Sequence, residues 1–359
     1  MLSTCPGCNG LLDTVLDQRV LQETSKKALA AEPSMWRYRP FLPLSQDVKP
    51  VSAGEGNTPL RRLKSQRGRV WVKDETRNPT GTFKDRGASL AVAVLSRLGV
   101  RRLVMSSEGN AGCSFALYSG MVRVPCHVFL PVLANPAKVE LSKKLGAKVS
   151  RVQGTIGDAG KRAAIEVNKT GAYNSSTFVT PYRHDGKGTM ALEICEARGW
   201  KSPDWVVYPI GGGVGLVGMW KMFKIMEDIG WVNGKPRFVA VQPSGCAPVV
   251  KAFNLGREDV EEWKSPRTIA LGLRIPKPLA GRWILKTLRE SKSRARSIAD
   301  SEILKAVRQL ARDEGLILEP SSASAFGVLP GLYDEGLIDR SEEVVVIATG
   351  SGLKTTENF

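Results

Sequence analysis

Trp205-Val-Val-Tyr-Pro-Ile-Gly-Gly-Gly-Val-Gly215 is the stretch whose reading decides the fold. A short β-favouring run ends at Pro209, four glycines fill five positions, and a helical pattern over 214–229 follows. A strand that feeds a helix through so many glycines is a βα unit with a purpose at its turn. Glycines let backbone N–H groups close around an anion, and the helix N-terminus adds a favourable dipole. A plain tight turn needs fewer glycines. No Lys-Ser/Thr pair follows, so this is not a Walker loop, nor is it a G-x-G-x-x-G in a first βα unit with an acidic residue some twenty positions on, as a dinucleotide fingerprint requires.

The same alternation continues outward in both directions. Strands are predicted over 70–73, 102–106, 126–130, 148–152, 238–242 and 343–348. Helices are predicted over 83–98, 110–118, 136–145, 158–169 and 189–198, and over 300–314 with Asp300 or Ser301 as its cap. Residues 1–45 read as irregular. Alternating strands and helices argue an α/β fold with parallel-rich sheets. So many strands argue two sheets. Ligands of such folds bind beyond the carboxyl ends of strands, which points to the turns after Ser106, Pro209 and Ala348.

A length of 359 residues suggests about two domains. With 42% hydrophobic and 24% charged residues the chain can build a full core, and disorder, collagen and coiled coil are excluded. No apolar run approaches the ~18–20 residues of a membrane span, and the start lacks the pattern of a secretory signal. The net charge of +17 is spread along the chain, and the densest late stretch, Lys292 to Arg296, has no interleaved aromatics. With no zinc-finger or RNA-recognition motif, nucleic acid is not the expected partner. Cys5 and Cys8 look like half of a zinc ribbon, but Cys113, Cys126, Cys195 and Cys246 are scattered. A structural zinc site takes four ligands, so no metal is expected. Six cysteines in a chain of this length indicate a reducing, cytoplasmic setting.

Three further junctions carry chemistry. Asn78-Pro-Thr-Gly-Thr-Phe-Lys84-Asp-Arg-Gly87 sets Lys84 at a helix start, where the dipole opposes its charge and lowers its pKa, as an imine-forming amine requires. Ser106-Ser-Glu-Gly-Asn-Ala-Gly112 offers backbone N–H groups and Asn110 to a carboxylate and a ring oxygen. Ala348-Thr-Gly-Ser-Gly-Leu-Lys354 offers the hydroxyl of Thr349 or Ser351 to a ring nitrogen. Each is weak alone. Together they supply what a pyridoxal phosphate site needs: a lysine, a phosphate cup, a ring-nitrogen partner and a carboxylate cradle.

From these motifs the chain resembles the fold-type-II pyridoxal-phosphate enzymes, and within them the threonine synthase group. Gly54-Glu-Gly-Asn-Thr-Pro-Leu60, the Lys84 segment, the Asn110 loop, the glycine cup and the Thr349 segment carry the resemblance. So do Ile156-Gly-Asp-Ala-Gly-Lys161, Pro181-Tyr-Arg-His-Asp-Gly-Lys-Gly-Thr-Met190 and Val241-Gln-Pro-Ser-Gly-Cys-Ala-Pro248. The resemblance implies two α/β domains with the cofactor between them, a large one over 1–79 and 181–359 and a small inserted one over 80–180. It implies that Lys84 is the catalytic, cofactor-holding lysine and that Phe83 packs on the ring. Asn110 would lie beside the ring hydroxyl, Gly211, Gly212, Gly213, Val214 and Gly215 around the phosphate, and Thr349 by the ring nitrogen. Ser107, Glu108, Gly109 and Ala111 would cradle the substrate, with Arg183 and Lys187 on its phosphate.

The reaction so implied converts O-phospho-L-homoserine and water to L-threonine and phosphate, in a homodimer that closes over a small anionic amino acid. Two departures keep other readings open. Glu108 stands where the group usually has Ser or Thr, and a carboxylate there repels an anionic substrate unless it is protonated, paired or turned away. The glycine cup and Glu319-Pro-Ser-Ser-Ala323 also resemble segments of serine and threonine dehydratases. A dehydratase or ammonia-lyase, a β-replacement synthase, and a non-catalytic binding protein with the same fold are the alternatives.

Overall fold

The computed structural model describes residues 4–8, 10–45, 47–66 and 68–355. Its strands are β1 (Leu60–Arg62), β2 (Arg69–Asp74), β3 (Leu103–Ser106), β4 (Cys126–Pro131), β5 (Lys148–Val152), β6 (Tyr173–Asn174), β7 (Trp205–Pro209), β8 (Arg237–Pro243), β9 (Arg294–Ile298) and β10 (Glu343–Ala348). The helices of the first half are α1 (Gln18–Glu23), α2 (Lys84–Arg97), α3 (Asn110–Met121), α4 (Pro136–Lys144), α5 (Ile156–Thr170) and α6 (Tyr182–Ala197). Those of the second half are α7 (Val214–Asp228), α8 (Pro248–Asn254), α9 (Gly281–Glu290), α10 (Asp300–Glu314), α11 (Pro320–Gly327) and α12 (Leu329–Asp334).

One compact unit comprises Met1–Asn57 and Asn78–Thr189. Its sheet is parallel throughout, in the order β5-β4-β3-β6. Alternate side chains of a strand point to opposite faces. Accordingly Leu103, Met105, Val128 and Leu130 join Phe115 of α3 in one core, while Val104 and Phe129 meet Ala159 and Ala163 of α5 in another. The second unit comprises Thr58–Arg77 and Met190–Phe359. Its sheet runs β1-β2-β10-β7-β8-β9, with β1 antiparallel to β2 and the remaining pairs parallel. Val70, Val72, Val344 and Val346 line one face and pack on Ile303, Val307 and Leu310 of the amphipathic α10. In each sheet a late strand returns beside an early one, β6 beside β3 and β10 beside β7. At such a reversal the loops leaving the carboxyl ends diverge, and a ligand crevice forms.

Trp205–Pro209, Lys148–Val152, Asp300–Glu314 and Glu343–Ala348 have the predicted bounds. The helix predicted over 189–198 begins two turns earlier, at Tyr182. Its opening residues Arg183, His184, Asp185 and Lys187 are all buried, so no apolar period marks that face. The Lys292–Arg296 run lies largely on the edge strand β9. Neither Asp300 nor Ser301 caps α10. Ala299 is the cap, its N–H donating to Glu302 at 3.1 Å, while Asp300 accepts from Thr268 Oγ1 at 2.6 Å and Ile269 N at 3.1 Å. Near the start, the Cys5 amide donates to the Gly10 carbonyl at 2.9 Å in a small bridged turn.

The compact units also differ from the expected division into 1–79 with 181–359 and 80–180. Met1–Asn57 groups with Asn78–Thr189, and the boundary on the other side falls inside α6. Glu55 shows why. Its fully buried carboxylate accepts from Trp36 Nε1 at 2.7 Å, Tyr118 OH at 2.8 Å, the Ala53 N–H at 2.9 Å and Ser89 Oγ. Trp36 belongs to the buried 3₁₀ segment Met35–Phe41, Ser89 to α2 and Tyr118 to α3. Burial, with the charges of Asp85 and Glu55, holds the Tyr118 hydroxyl far above the ordinary tyrosine range, so it stays a donor. Glu55→Leu is therefore expected to leave several buried donors unmet and to lower stability by more than about 3 kcal/mol, read from the urea unfolding midpoint.

Candidate active site

In the first unit Lys84 opens α2. The turn before it is closed by the Gly81 N–H on the Asn78 carbonyl at 2.7 Å, and Gly81 adopts φ +71°. Asp85 reaches back to accept from Thr80 N and Thr80 Oγ1, both at 2.7 Å. Phe83 occupies the cap position and provides no side-chain hydrogen bond. Lys84 is half-buried, with Nζ 4.2 Å from the Phe83 ring centre. Thr80 Oγ1 lies 3.2 Å from Ser114 Oγ, which donates to the Asn110 carbonyl at 3.1 Å. The lysine turn and the asparagine loop are thus tied through the first turn of α3.

That loop leaves the end of β3. Ser107 Oγ accepts from Gly109 N at 2.9 Å and Gly112 N at 3.0 Å, which curls the chain into α3. Gly109 has φ +129°, and a Cβ there would meet the Lys138 side chain at 2.7 Å, so glycine is required. Asn110 and Ala111 are buried at the helix start, and both Glu108 carboxylate oxygens are buried. The returning β6 leads into a segment fastened to the same strand end: Ser106 N donates to Ser176 Oγ at 3.0 Å.

Arg183 and Lys187 follow on α6, one turn apart and fully buried. Arg183 Nη1 donates to the Ser175 carbonyl at 2.9 Å, and its guanidinium lies 5.1 Å from the Phe115 ring centre. Its Nε has no hydrogen-bond partner among the described residues. Burial pushes its pKa down to about 10. Lys187 Nζ donates to the Arg183 carbonyl at 3.0 Å and lies 5.7 Å from the Phe83 ring centre. Glycines make this approach possible. A Cβ at Gly87 would lie 2.1 Å from Lys187 Nζ, and one at Gly186 would lie 2.3 Å from the Arg86 carbonyl oxygen. Burial first, then the charges of Arg183 and Lys84, holds Lys187 well below the ordinary lysine range. Neither Arg183 nor Lys187 has a carboxylate within ion-pair distance among the described residues. Next to them, His184 Nε2 lies 2.7 Å from Asp13 Oδ1 and 3.8 Å from Asp185 Oδ2, and Thr14 Oγ1 donates to Asp185 at 2.7 Å. One polar atom each of Asp13, His184 and Asp185 thus lies within 4.8 Å of the others, a polar grouping the sequence did not suggest.

In the second unit the glycine loop and the Thr349 segment leave adjacent parallel strands, β7 and β10. Gly213 is the N-cap of α7, with φ +76° and no side-chain cap. No side chain at the cap position therefore competes for the first-turn N–H groups of the 15-residue α7, of which Gly215 N–H meets the Tyr208 hydroxyl. A Cβ at Gly213 would meet Ile284 at 2.4 Å, and one at Gly215 would meet Tyr208 OH at 2.1 Å. Gly211, Val214 and Gly215 are buried and Gly212 is half-exposed. Thr349 is buried just past β10. An uncapped, donor-only helix start behind glycines suits a phosphate, and a buried hydroxyl suits a ring nitrogen.

Two wall residues of this half escaped the sequence reading. Gly272, in the 3₁₀ turn Leu271–Leu273, places its carbonyl oxygen 2.8 Å from where a Gly211 Cβ would be, and its N–H donates to Ser321 Oγ at 3.0 Å. Glu319 Oε1 lies 2.6 Å from where a Gly350 Cβ would be, and the Glu319 N–H donates to the Gly350 carbonyl at 3.1 Å. The Glu319-Pro-Ser-Ser stretch was visible as a motif. Its place between the glycine loop and the Thr349 turn depends on long-range packing.

Residues 51–350 match the family model described as pyridoxal-phosphate dependent enzyme. The chain is 36% identical to a threonine synthase of Methanocaldococcus jannaschii, covering 99% of this chain and 89% of that relative. It is 35% identical to a threonine synthase of Methanosarcina acetivorans, covering 99% and 88%. A solved maize serine racemase superposes with a TM-score of 0.71 over 84% of this chain and 90% of that one; at 23% identity the likeness is one of fold.

Two left-handed glycines separate conformation from crowding. Gly199, with φ +64°, has nothing within 4 Å of an added Cβ, whereas Gly213 faces Ile284. Gly199→Ala is expected to cost about 1–2 kcal/mol. Gly213→Ala is expected to cost a further ~1–3 kcal/mol from overpacking, both read by urea unfolding.

Proposed function

The chain belongs to the pyridoxal-phosphate-dependent enzyme family, and we propose that within it the chain converts O-phospho-L-homoserine and water to L-threonine and phosphate. The observation that carries this reading is the pair Arg183 and Lys187: two cationic side chains, fully buried, with no carboxylate partner among the described residues. Buried charges in proteins are normally paired. A phosphate dianion supplies both countercharges. Serine or threonine, the substrates of a dehydratase, would leave both cations uncompensated. Threonine synthases at 35–36% identity over nearly the whole chain support the same reading.

The residues are assigned as follows. Lys84 would hold the cofactor, with Phe83 and Asn110 beside it. The loop Gly211, Gly212, Gly213, Val214 and Gly215 would bind its phosphate through backbone N–H groups, and Thr349 would offer a hydroxyl to its ring nitrogen. When bound, pyridoxal phosphate supplies an electron sink for the carbons of the amino acid. Ser107, Gly109 and Ala111 hold the substrate carboxylate at the head of α3, where the helix dipole favours an anion. Glu108, whose oxygens are buried, shapes that cradle. As an amine, Lys84 would remove the α-proton of the substrate and return protons later. Thr349, a neutral hydroxyl, leaves the ring nitrogen less protonated than a carboxylate would, which favours elimination and replacement over transamination. Arg183 and Lys187 hold the substrate phosphate until it leaves, and water then adds at the β-carbon. The reading includes a cytoplasmic homodimer, as the resemblance implies. No described helix is long and apolar enough to cross a membrane.

The test is release of phosphate together with threonine from O-phospho-L-homoserine by the purified, cofactor-loaded protein. Lys84→Ala is expected to lower kcat by about 10²–10⁴-fold or more. Arg183→Lys is expected to raise KM by about 10–100-fold, the worth of a lost charge-assisted hydrogen bond or two. Keto-acid release from serine or threonine without phosphate release from phosphohomoserine would reject the reading.

A further inference from the structure

Loss of phosphate from a phosphate ester by C–O cleavage poses a proton problem. The departing group would be the trianion, a poor leaving group, unless a proton reaches the bridging oxygen as the bond breaks. Lys84 is engaged at the carbon atoms, and Arg183, whose charge is spread over a guanidinium already bonded to the Ser175 carbonyl, serves as a hydrogen-bond donor. A second proton carrier is needed on the phosphate side.

We propose that Lys187 is that acid: it protonates the bridging oxygen of the substrate phosphate as the C–O bond breaks. The proposal rests on the phosphohomoserine reading given above. Three features place Lys187 for the task. Its Nζ lies against the first turn of α2 through the space left by Gly87, on the same aromatic ring, Phe83, that Lys84 contacts. One of its ammonium hydrogens is engaged by the Arg183 carbonyl, which leaves the others for a ligand. It is also one helical turn from Arg183, whose buried Nε has no partner among the described residues. The phosphate that answers Arg183 therefore comes within reach of Lys187.

The charges around Lys187 set when it carries a proton. Lys84 and Arg86 on α2 and Arg183 on α6 oppose its charge, and Asp85 on α2 favours it. Asp85 is itself held by the N–H and hydroxyl of Thr80. With burial added, these charges hold Lys187 well below the ordinary lysine range, which makes its ammonium a readier acid. An arriving phosphate dianion reverses the local field and favours the protonated form of Lys187. When the C–O bond at the γ-carbon breaks, its electron pair stays on the oxygen and the Lys187 proton moves to that oxygen. The electrons that expel the group come from the β C–H bond, whose proton has already been removed. Phosphate leaves as hydrogenphosphate, and Lys187 returns to the neutral amine.

The experiment compares the cofactor-loaded wild type, Lys187→Gln and Lys187→Arg on two substrates. O-phospho-L-homoserine needs a protonated leaving group; β-chloro-L-alanine, which expels chloride, does not. Lys187→Gln is expected to lose about 10²–10⁴-fold more kcat on the first than on the second. Lys187→Arg keeps the charge without an exchangeable acid, so its kcat on phosphohomoserine falls much further than its KM rises. The alkaline limb of kcat, where the acid loses its proton, is expected in the wild type and absent from both variants. Independently of turnover, calorimetry of inorganic phosphate binding at pH 8 in buffers of different ionisation enthalpy should show proton uptake by the wild type and none by Lys187→Gln. Equal losses on both substrates, or equal proton uptake, overturn the acid role and leave the reaction assignment standing. A wild type that eliminates chloride but releases no phosphate from phosphohomoserine overturns both.

Discussion

The buried carboxylate of Glu55 is the contact on which the lysine-bearing unit depends. It is desolvated and survives only because hydrogen-bond donors surround it, and those donors come from three places far apart in sequence: Trp36, Ser89 and Tyr118. An N-terminal segment with little regular structure is thereby fixed against α2 and α3. Those two helices begin at Lys84 and Asn110. The starts of both helices, and with them the place of Lys84, are thus tied to a buried carboxylate. A comparable buried pair works in the other unit, where Lys73 Nζ lies 2.5 Å from Glu193 and 2.6 Å from the Thr58 carbonyl oxygen.

Both sheets use the same topological device. In each, a strand returns beside an earlier one, and the loops at that reversal carry the candidate residues: the Asn110 loop and the approach to Arg183 in one, the glycine loop and the Thr349 turn in the other. Parallel strands put all their carboxyl ends on one side, so the loops of each reversal open in the same direction. The glycines at these loops act by what they omit. Gly213 yields room to Ile284, Gly87 to Lys187 and Gly350 to Glu319.

Much of this was legible from the sequence because it rests on local signals. Strands such as Glu343–Ala348 are continuous apolar runs, and α10 carries an apolar stripe at Ile303, Ala306, Val307 and Leu310. Lys84, Asn110, the glycine loop and Thr349 could be singled out because each was predicted at a loop-to-helix or strand-end junction, where turn chemistry is written in adjacent residues. What stayed hidden depends on distant partners. The opening of α6 is buried by polar and charged side chains, so hydrophobic periodicity is silent there. The grouping of the N-terminal segment is decided at Glu55, across intervals that no local pattern spans. That neither Arg183 nor Lys187 forms an ion pair with a carboxylate among the described residues is a property of the packed chain and has no signature in the order of residues.

The edge strand β9 gives the basic run near residue 294 a second meaning. The outer edge of a sheet presents backbone donors and acceptors that a strand from another molecule can pair with. Here Arg294 is exposed and Arg296 half-exposed along that edge, the latter paired with Glu335. A second copy of the chain approaching in register would set guanidinium against guanidinium. Charged side chains along an open edge disfavour such pairing, by which a sheet would grow strand by strand into a fibre.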